Sequence, residues 1–434
     1  MKPTSKPIYK SLYFQVITAI VIGVARWCAI RCRGPSHGPA HAPELSTAAS
    51  GPSLDTIDTT GGSLPHRLLV LTSHIGLNRE LSLVMVYIFA VAFTFLPLLV
   101  GAASSPYSIL APVGHQKLPF LWDANIIFMF LISFPCLIIF TLKDQRIISN
   151  SIKLVQADGT VIISDTDAIS LITNWNKNFR KINISGQAAG LVIGVMIAYA
   201  NYLVYAPTSS GYWISDNDKL LPVGYIYLYC IFIFYAFVVF YVFRCVGVTF
   251  LLGDIVRYAK LSLLPLHPDK AGGLRPIGRL GLRNQYLLMI FGINIVILII
   301  NYHTFLPKIT PIYVLVISAF IFYVVLGPFV FIGPLLPFRR AMLRTKAELM
   351  AEVAKRLRVE LQRLQKSIRS GIISKDDEEL IDRLRKVGFI IDEFPVWPFD
   401  TGTLRKFTVA YVFPVVSGFG YKVIESIIKY VWPV

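Results

Sequence analysis

Basic residues in this chain are concentrated in every second gap between apolar segments, and this alternation predicts a membrane topology. Seven segments are apolar over about 20 residues, the length that crosses a hydrocarbon layer of about 30 Å. They cover residues 81–101, 124–142, 185–206, 222–243, 286–304, 311–337 and 407–433. The gaps 143–184, 244–285 and 338–406 contain 6, 7 and 16 Lys or Arg residues, and the other three gaps contain one each. Because basic flanks remain in the cytoplasm, we expect the N-terminus and these three gaps to be cytoplasmic and the C-terminus to be extracytoplasmic.

The net charge of +17 follows from the same arrangement. Of the 42 Lys and Arg residues, 37 lie in the first 80 residues and in the three basic gaps. There they would face the anionic lipid headgroups of the bilayer, so we predict lipid and no nucleic acid as partner. The five cysteines show neither a CxxC pair nor the Cys/His spacing of metal ligands. The sequence therefore predicts no disulfide, no metal site and no cofactor; these cysteines are Cys28, Cys32, Cys136, Cys230 and Cys245.

The predicted fold class is an all-α polytopic membrane protein of the cell membrane. We expect a seven-helix transmembrane bundle, a cytoplasmic helical-hairpin stalk and a small cytoplasmic β-hairpin. In the N-terminal region, residues 11–30 contain a short apolar helix that could be a weak extra span. Residues 34–63, rich in Gly, Pro and Ser, are expected to be a disordered linker, and 64–79 an amphipathic helix. The chain divides into an N-terminal region 1–80, a six-span bundle 81–337, a helical hairpin 338–400 and a last span 401–434.

Two cytoplasmic elements are predicted from local pattern. The pair Asp158-Gly159 stands between two β-prone runs and favours a hairpin made by the residues on either side. Apolar residues recur at alternating spacings of three and four over residues 343–368, which predicts a coiled coil or a tight helical hairpin. We expect this helix to end at Gly371 and a second one to begin after Ser374.

Small residues and prolines indicate how the spans pack. The third span carries small residues at every fourth position, so they share one stripe where a neighbouring helix can approach closely. These residues are Gly186, Gly190, Gly194 and Ala198. In the sixth span, Gly327-Pro328 and Gly333-Pro334 predict a bent or broken helix, either a gate or a packing kink.

The stretch between spans four and five is the most motif-like part of the chain. It contains the sequence HPDKAGGLRPIGRLGLR, with the candidate residues His267, Asp269, Lys270, Arg275, Arg279 and Arg283. Three interpretations remain open: a structural turn, a site for a phosphate or anionic lipid headgroup, and an acid–base pair of His267 and Asp269. The chain lacks the common catalytic motifs, so an enzyme is the least favoured class.

Polar residues within the spans are the candidates for a conduction path. They are Tyr235, Asn294, Lys422, Glu425 and Lys429. Tyr235 lies near mid-membrane, where its hydroxyl needs a partner in the bundle or in a pore. The order of spans, with a helical stalk before the last one, resembles insect chemoreceptor-like ion channels in topology only. That resemblance implies a homo-oligomer whose last helix lines the pore; the alternative is a signalling or lipid-binding protein using the basic loop 267–283.

Overall fold

Helices account for most of the structure, a computed structural model. It describes residues 53–63, 65–67, 79–105, 109–110, 118–206, 212–216, 219–305, 310–369, 375–414 and 416. Within these ranges six helices are long and apolar enough to cross a membrane. They coincide with the first six predicted spans. Most of the seventh predicted span lies outside the described residues, as does the apolar helix predicted within 11–30.

The helices run in chain order as follows. They are α1 (Arg79–Ala103), α2 (Ala124–Ala157), α3 (Asp165–Tyr205), α4 (Pro222–Tyr258), α5 (Arg275–Phe305), α6 (Thr310–Ile332), α7 (Leu336–Arg369), α8 (Lys375–Asp392) and α9 (residues 401–414). A π-helical turn, Met129–Ser133, interrupts α2. Gly333–Leu335 form a 3₁₀ turn between α6 and α7, so the second Gly-Pro pair breaks the helix, whereas Pro328 lies inside α6.

Several helices extend well beyond the apolar runs that predict them. Helix α3 begins at Asp165, where Ser164 caps it by accepting a hydrogen bond from the Asp167 backbone N–H at 3.3 Å. Helix α4 begins at Pro222, a favoured residue in the first helical turn, and continues to Tyr258. The end of the bundle formed by the C-termini of α2 and α4 and the N-termini of α3 and α5 is called the basic end.

Two short antiparallel sheets accompany the helices. At the basic end, β1 (Val161–Ile162) pairs with β4 (Lys260–Leu261). At the opposite end, β2 (Ser215–Asp216) pairs with β3 (Lys219–Leu220). A small two-stranded sheet is thus present after Asp158-Gly159, but the predicted hairpin is wrong in its partner strand.

The residues before Asp158 belong to α2 and not to a strand. Ile148, Ile152 and Val155 recur at helical spacing and are buried in the core, which favours helix over strand for this run. Gly159 has a φ of 71° and lets the chain reverse after the helix. The strand that follows then pairs with the connection after α4.

Residues 53–63 are ordered, which corrects the prediction of a disordered linker at its C-terminal end. The side chains of Leu54 and Ile57 are buried among α2, α3 and α4 residues of one core cluster. The Gly- and Ser-rich composition suggested disorder, but these apolar residues and the hydrogen bonds described below hold the segment in place. Of the predicted amphipathic helix, the structure describes residues 65–67, which are helical, and Arg79 at the start of α1.

Helices α7 and α8 pack against each other. Lys346 of α7 forms an ion pair with Asp392 at 3.2 Å, which lies at the end of α8. Between them, Met350 and Leu357 face Leu384 across a groove. The predicted seam is only partly correct, because the described side chains of Leu343 and Leu361 are exposed. The predicted helix end at Gly371 and the start after Ser374 lie outside the described residues.

Candidate functional site

The segment 53–63 is bound along its backbone by amide side chains of α2 and α3. Gln145 donates to the carbonyl of Ile57 at 2.8 Å and accepts the N–H of Thr59 at 2.7 Å. From the other side, Asn183 donates to the carbonyls of Thr59 at 3.0 Å and Gly61 at 2.8 Å. A buried extended segment must find partners for its backbone groups, and these side chains supply them.

The same pattern continues toward the start of the segment. The Leu54 N–H donates to Gln156 of α2 at 3.1 Å. The Asp58 N–H donates to Asn176 of α3 at 2.7 Å. Residues 53–63 therefore lie between α2 and α3 as an intramolecular strap, and the name N-terminal strap is used for them below.

A buried ion network lies directly beneath the N-terminal strap. Arg244 of α4 is 1% exposed and forms an ion pair with Asp144 of α2 at 3.2 Å. The second carboxylate oxygen of Asp144 accepts from Arg283 of α5 at 2.6 Å. Arg244 also donates to the Thr59 carbonyl at 2.8 Å and to Asn183 Oδ1 at 3.3 Å. One carboxylate thus joins three helices and balances one of two guanidinium charges.

A second buried carboxylate, Asp123, lies at the opposite end of the bundle. It is 1% exposed and accepts hydrogen bonds from Tyr212, from Trp213 at 3.1 Å and from Asn301 at 2.9 Å. The Ile126 N–H, in the first turn of α2, donates to it at 3.2 Å. Burial raises the pKa of Asp123 above its ordinary value, and these hydrogen bonds offset only part of that rise. Among the described residues no Lys or Arg forms an ion pair with it.

Polar residues also occupy the interface of α2, α4 and α5 between the two carboxylates. Asn294 of α5 donates to the backbone carbonyl of Asn125 at 3.1 Å. Tyr241 of α4 donates to Asn284 Oδ1 at 2.9 Å. Gln285 is completely buried, and its side-chain amide has no hydrogen-bond partner among the described residues.

The motif around His267 forms a closed turn. The His267 ring lies between Asp158 at 2.9 Å and Asp269 at 2.7 Å. Asp269 accepts three backbone N–H groups, those of Ala271, Gly273 and Arg275. Burial alone would raise the pKa of Asp269, but these hydrogen bonds and the one from His267 lower it below the ordinary value. The backbone amides considered for an anion are therefore bonded to a carboxylate of the chain itself.

The basic residues of the loop do not converge on one point. Arg275 pairs with Asp400 at 3.1 Å, and Arg283 belongs to the buried network. Lys270 and Arg279 are exposed. Binding of anionic headgroups stays a prediction, and it rests on these two side chains.

The small residues of α3 lie against α4. A Cβ atom at Gly190 would lie 2.5 Å from the carbonyl oxygen of Ala236, and one at Gly194 would lie 2.8 Å from that of Phe232. Gly186 faces Phe243 in the same way, and Ala198, at the end of the stripe, is half-buried.

The intramembrane polar candidates are distributed differently. Tyr235 is half-buried and packs edge-on against Phe234, with ring centroids 5.3 Å apart. Asn294 lies in the α2–α5 interface. Lys422, Glu425 and Lys429 lie outside the described residues.

Sequence reasoning missed the two carboxylate centres as sites. Arg244 counted only as a basic residue of the gap 244–285, and no role was predicted for Asp144 or Asp123. The available signal was that Arg244 stands in an uninterrupted apolar run, VVFYVFRCVGVTFLL, where a charge inside a helix needs a buried partner.

Comparisons with known proteins return no match: no family model, no curated protein and no solved structure is similar to the chain. What the chain does must therefore be argued from its own geometry. Its six long apolar helices, of which α2, α4 and α5 are joined at the basic end by buried ion pairs, identify it as a multi-pass integral membrane protein.

Proposed function

We propose that the protein is a homo-oligomeric channel in which the last helix lines the pore and the basic end faces the cytoplasm. The observation that carries this proposal is the burial pattern of α9: among the described residues its buried side chains, Thr403, Ala410 and Pro414, lie on one stripe. A helix at the edge of one subunit can face the axis of an assembly.

The contacts of α9 are aromatic and close. Phe407 stacks on Phe331 of α6 with ring centroids 4.1 Å apart, and Tyr411 stacks on Tyr323 at 5.8 Å. The Tyr411 hydroxyl donates to the Val324 carbonyl at 2.7 Å. These contacts attach α9 to α6, which continues through a 3₁₀ turn into α7.

Among the described residues, the rest of the α9 surface is exposed and is mostly apolar beyond Arg405 and Lys406. Its exposed large apolar residues are Leu404, Val409, Val412 and Phe413, and Val416 follows just after the helix. In a monomer this surface would face lipid, whereas in an oligomer it would face other subunits or the pore. Further along the predicted span, Lys422, Glu425 and Lys429 add charged groups, which a pore accommodates and lipid does not.

The α7–α8 hairpin supports assembly as the second element of this proposal. It precedes α9 in the chain and carries exposed apolar side chains on both helices. Leu361 of α7 is 47% exposed, and Phe389 of α8 is 61% exposed. Association of hairpins from several copies would bring the last helices together around an axis.

The test combines the number of subunits with accessibility of α9. Native mass spectrometry in lipid nanodiscs should show an oligomer, and planar bilayers containing the protein should pass current. In Val409→Cys and Phe413→Cys, a charged thiol reagent should block that current. Val192→Cys, an exposed apolar position on α3, is the matched control and should leave the current unchanged with the same reagent. Monomers without current, or block at position 192 alone, would contradict the proposal.

A further inference from the structure

Helices α3 and α4 form an apolar groove beside the N-terminal strap, called the α3–α4 groove below. Its volume is about 180 Å³, and Gln187 is the only polar residue in the lining that the structure describes. Gly190 and Gly194 lie against Ala236 and Phe232, so the groove follows the line where the two helices meet. The lining includes Pro65, Gln187, Leu191, Phe232, Ala236 and Phe240.

The α3–α4 groove lies in one half of the membrane-spanning region. The middle of the predicted span 185–206 is near Val195, and the middle of 222–243 is near Phe232. On both helices the groove residues lie between this middle and the basic end. The groove is therefore level with the leaflet at the basic end, and Leu191, which is 54% exposed, faces the hydrocarbon of that leaflet.

One face of α3 changes from charged to apolar toward this groove. Positions 177, 180, 184, 187 and 191 follow the alternating spacing of three and four that keeps residues on one face of a helix. Lys177 and Arg180 are exposed, and neither forms an ion pair among the described residues. Eleven positions separate Arg180 from Leu191, roughly 16 Å at about 1.5 Å per residue. This distance is about half of a hydrocarbon layer of about 30 Å, which is the depth of one leaflet.

The N-terminal strap borders the same face of α3. Gly62 lies beside Arg180, since a Cβ atom at Gly62 would be 3.4 Å from Arg180 Cγ. The Gly62 carbonyl accepts a hydrogen bond from Gln187 Nε2 at 2.8 Å, and Pro65 lines the groove. The strap is thus held at the place where the charged part of this face meets the groove.

The size of the groove decides what can occupy it. An apolar cavity of about 150 Å³ accommodates a molecule such as benzene, so this groove fits a segment of hydrocarbon chain. A helix of a partner or of a second copy, about 10 Å wide with its side chains, is too large. The hydrocarbon available in a membrane is a lipid acyl chain, and two cations at the level of the headgroups favour an anionic lipid.

We propose that the α3–α4 groove binds one acyl chain of an anionic phospholipid from the leaflet at the basic end, and that Lys177 and Arg180 pair with its headgroup. The site uses no residue of the loop 267–283 or of α9. It therefore goes beyond the proposed channel and needs neither a current nor an oligomer.

The test uses the full chain, purified in detergent and titrated separately with phosphatidylserine and phosphatidylcholine that carry the same acyl chains. Native mass spectrometry counts the lipids that each chain retains and gives the dissociation constant of each lipid. The native chain should retain one phosphatidylserine molecule and bind it about tenfold more tightly than phosphatidylcholine, because only the first carries a net negative charge.

Leu191→Trp tests the groove, because the larger side chain fills it from an exposed position. It should lower the affinity for both lipids about tenfold. Val192→Trp is the matched control, since Val192 is 61% exposed on the neighbouring face of α3, and it should leave both affinities unchanged. Melting temperatures of the two variants should be equal, so a loss of binding in Leu191→Trp alone cannot be attributed to unfolding.

The double variant Lys177→Gln with Arg180→Gln tests the headgroup contact. It should lower the affinity for phosphatidylserine about tenfold and leave that for phosphatidylcholine unchanged. The control, Lys143→Gln with Arg146→Gln, removes two exposed cations at the same spacing from α2. It should leave both affinities unchanged.

Three results would overturn the proposal, whatever current the channel measurements give. The first is a native chain that retains no lipid, as expected if another segment of the chain or a second copy fills the groove. The second is an equal affinity for the two lipids, as expected for a neutral occupant such as a sterol. The third is an equal loss of binding in Leu191→Trp and Val192→Trp, which would place the lipid elsewhere.

Discussion

Arg244 donates a hydrogen bond of 2.8 Å to the backbone carbonyl of Thr59, although 185 positions separate the two residues. The same guanidinium pairs with Asp144, so a single buried side chain connects the N-terminal strap, α2 and α4. Replacement by methionine should leave the Thr59 carbonyl without this donor and should remove one of the two guanidinium partners of Asp144, which keeps its ion pair with Arg283.

We expect Arg244→Met to lower the free energy of unfolding by about 1–3 kcal/mol, because buried acceptors on Thr59 and Asn183 lose a charged donor while Arg283 still compensates Asp144. A melting curve of the detergent-solubilised protein, followed by fluorescence or circular dichroism, measures the change. Arg257→Met is the control, because Arg257 is 62% exposed and its ion pair with Asp254 is 3.7 Å long. The control should change stability by less than about 1 kcal/mol. Equal effects of the two substitutions would contradict the proposed role of Arg244.

Gln145→Leu should release the middle of the N-terminal strap. The variant removes the hydrogen bonds of Gln145 to the Ile57 carbonyl, the Thr59 N–H and the Thr59 hydroxyl, and leaves a side chain of similar size. Hydrogen–deuterium exchange followed by mass spectrometry should show faster exchange in peptides covering 53–63. Asn174→Ala on α3 provides the comparison, since Asn174 is exposed and bonds to Ser170 of its own helix at 3.5 Å. Its exchange pattern over 53–63 should match that of the native chain.

Two glycines should respond to alanine in opposite directions. At Gly190 the new Cβ would lie 2.5 Å from the Ala236 carbonyl oxygen, so α3 and α4 must separate. We expect a loss of about 1–3 kcal/mol, as for other overpacked cores. At Gly253 of α4 the nearest atom would be 3.7 Å away, and alanine should stabilise the helix by about 0.5–1 kcal/mol. Melting temperatures that change in the same direction would show that the α3–α4 contact is not tight.

Asp269→Asn should lower stability near neutral pH and have little effect in acid. The folded-state pKa of Asp269 lies below the ordinary value of 3.8, because backbone N–H groups outweigh the effect of burial. The stability it adds is therefore present above that ordinary value and is lost as the pH falls through the lower, folded-state pKa. The melting temperatures of the native chain and the variant should differ near neutral pH and approach each other as the pH falls below 3.8. Glu352→Gln, at an exposed position of α7, should show no such convergence.

Much of the membrane-spanning part could be predicted because length and apolar composition decide it. An apolar run near 20 residues has few stable environments besides a bilayer, and six of the seven runs correspond to helices. The helix ends were less predictable. The predicted spans end next to Asp144 and Arg244, where charged residues begin. Both residues nevertheless lie inside helices, and their ion pair lets them be buried there.

Local sequence patterns could not predict contacts between segments that are far apart in the chain. The pairing of Val161 with Leu261 joins two connections that helices α3 and α4 separate in the sequence. The order of residues 53–63 likewise depends on Gln145 and Asn183, which are far from the segment in the chain. The composition of this segment cannot reveal that amide side chains of α2 and α3 form hydrogen bonds with its backbone.

Helix α7 follows α6 through the 3₁₀ turn at Gly333–Leu335 and extends over 34 residues, roughly 50 Å. With an arm of that length, a tilt of about 5° at the turn displaces the far tip by about 4 Å. The torque that a given force exerts on the turn grows with the distance from it, so it is greatest at the tip of the hairpin. A molecule bound at that tip would therefore act most strongly on α6 and on the α9 stacked against it.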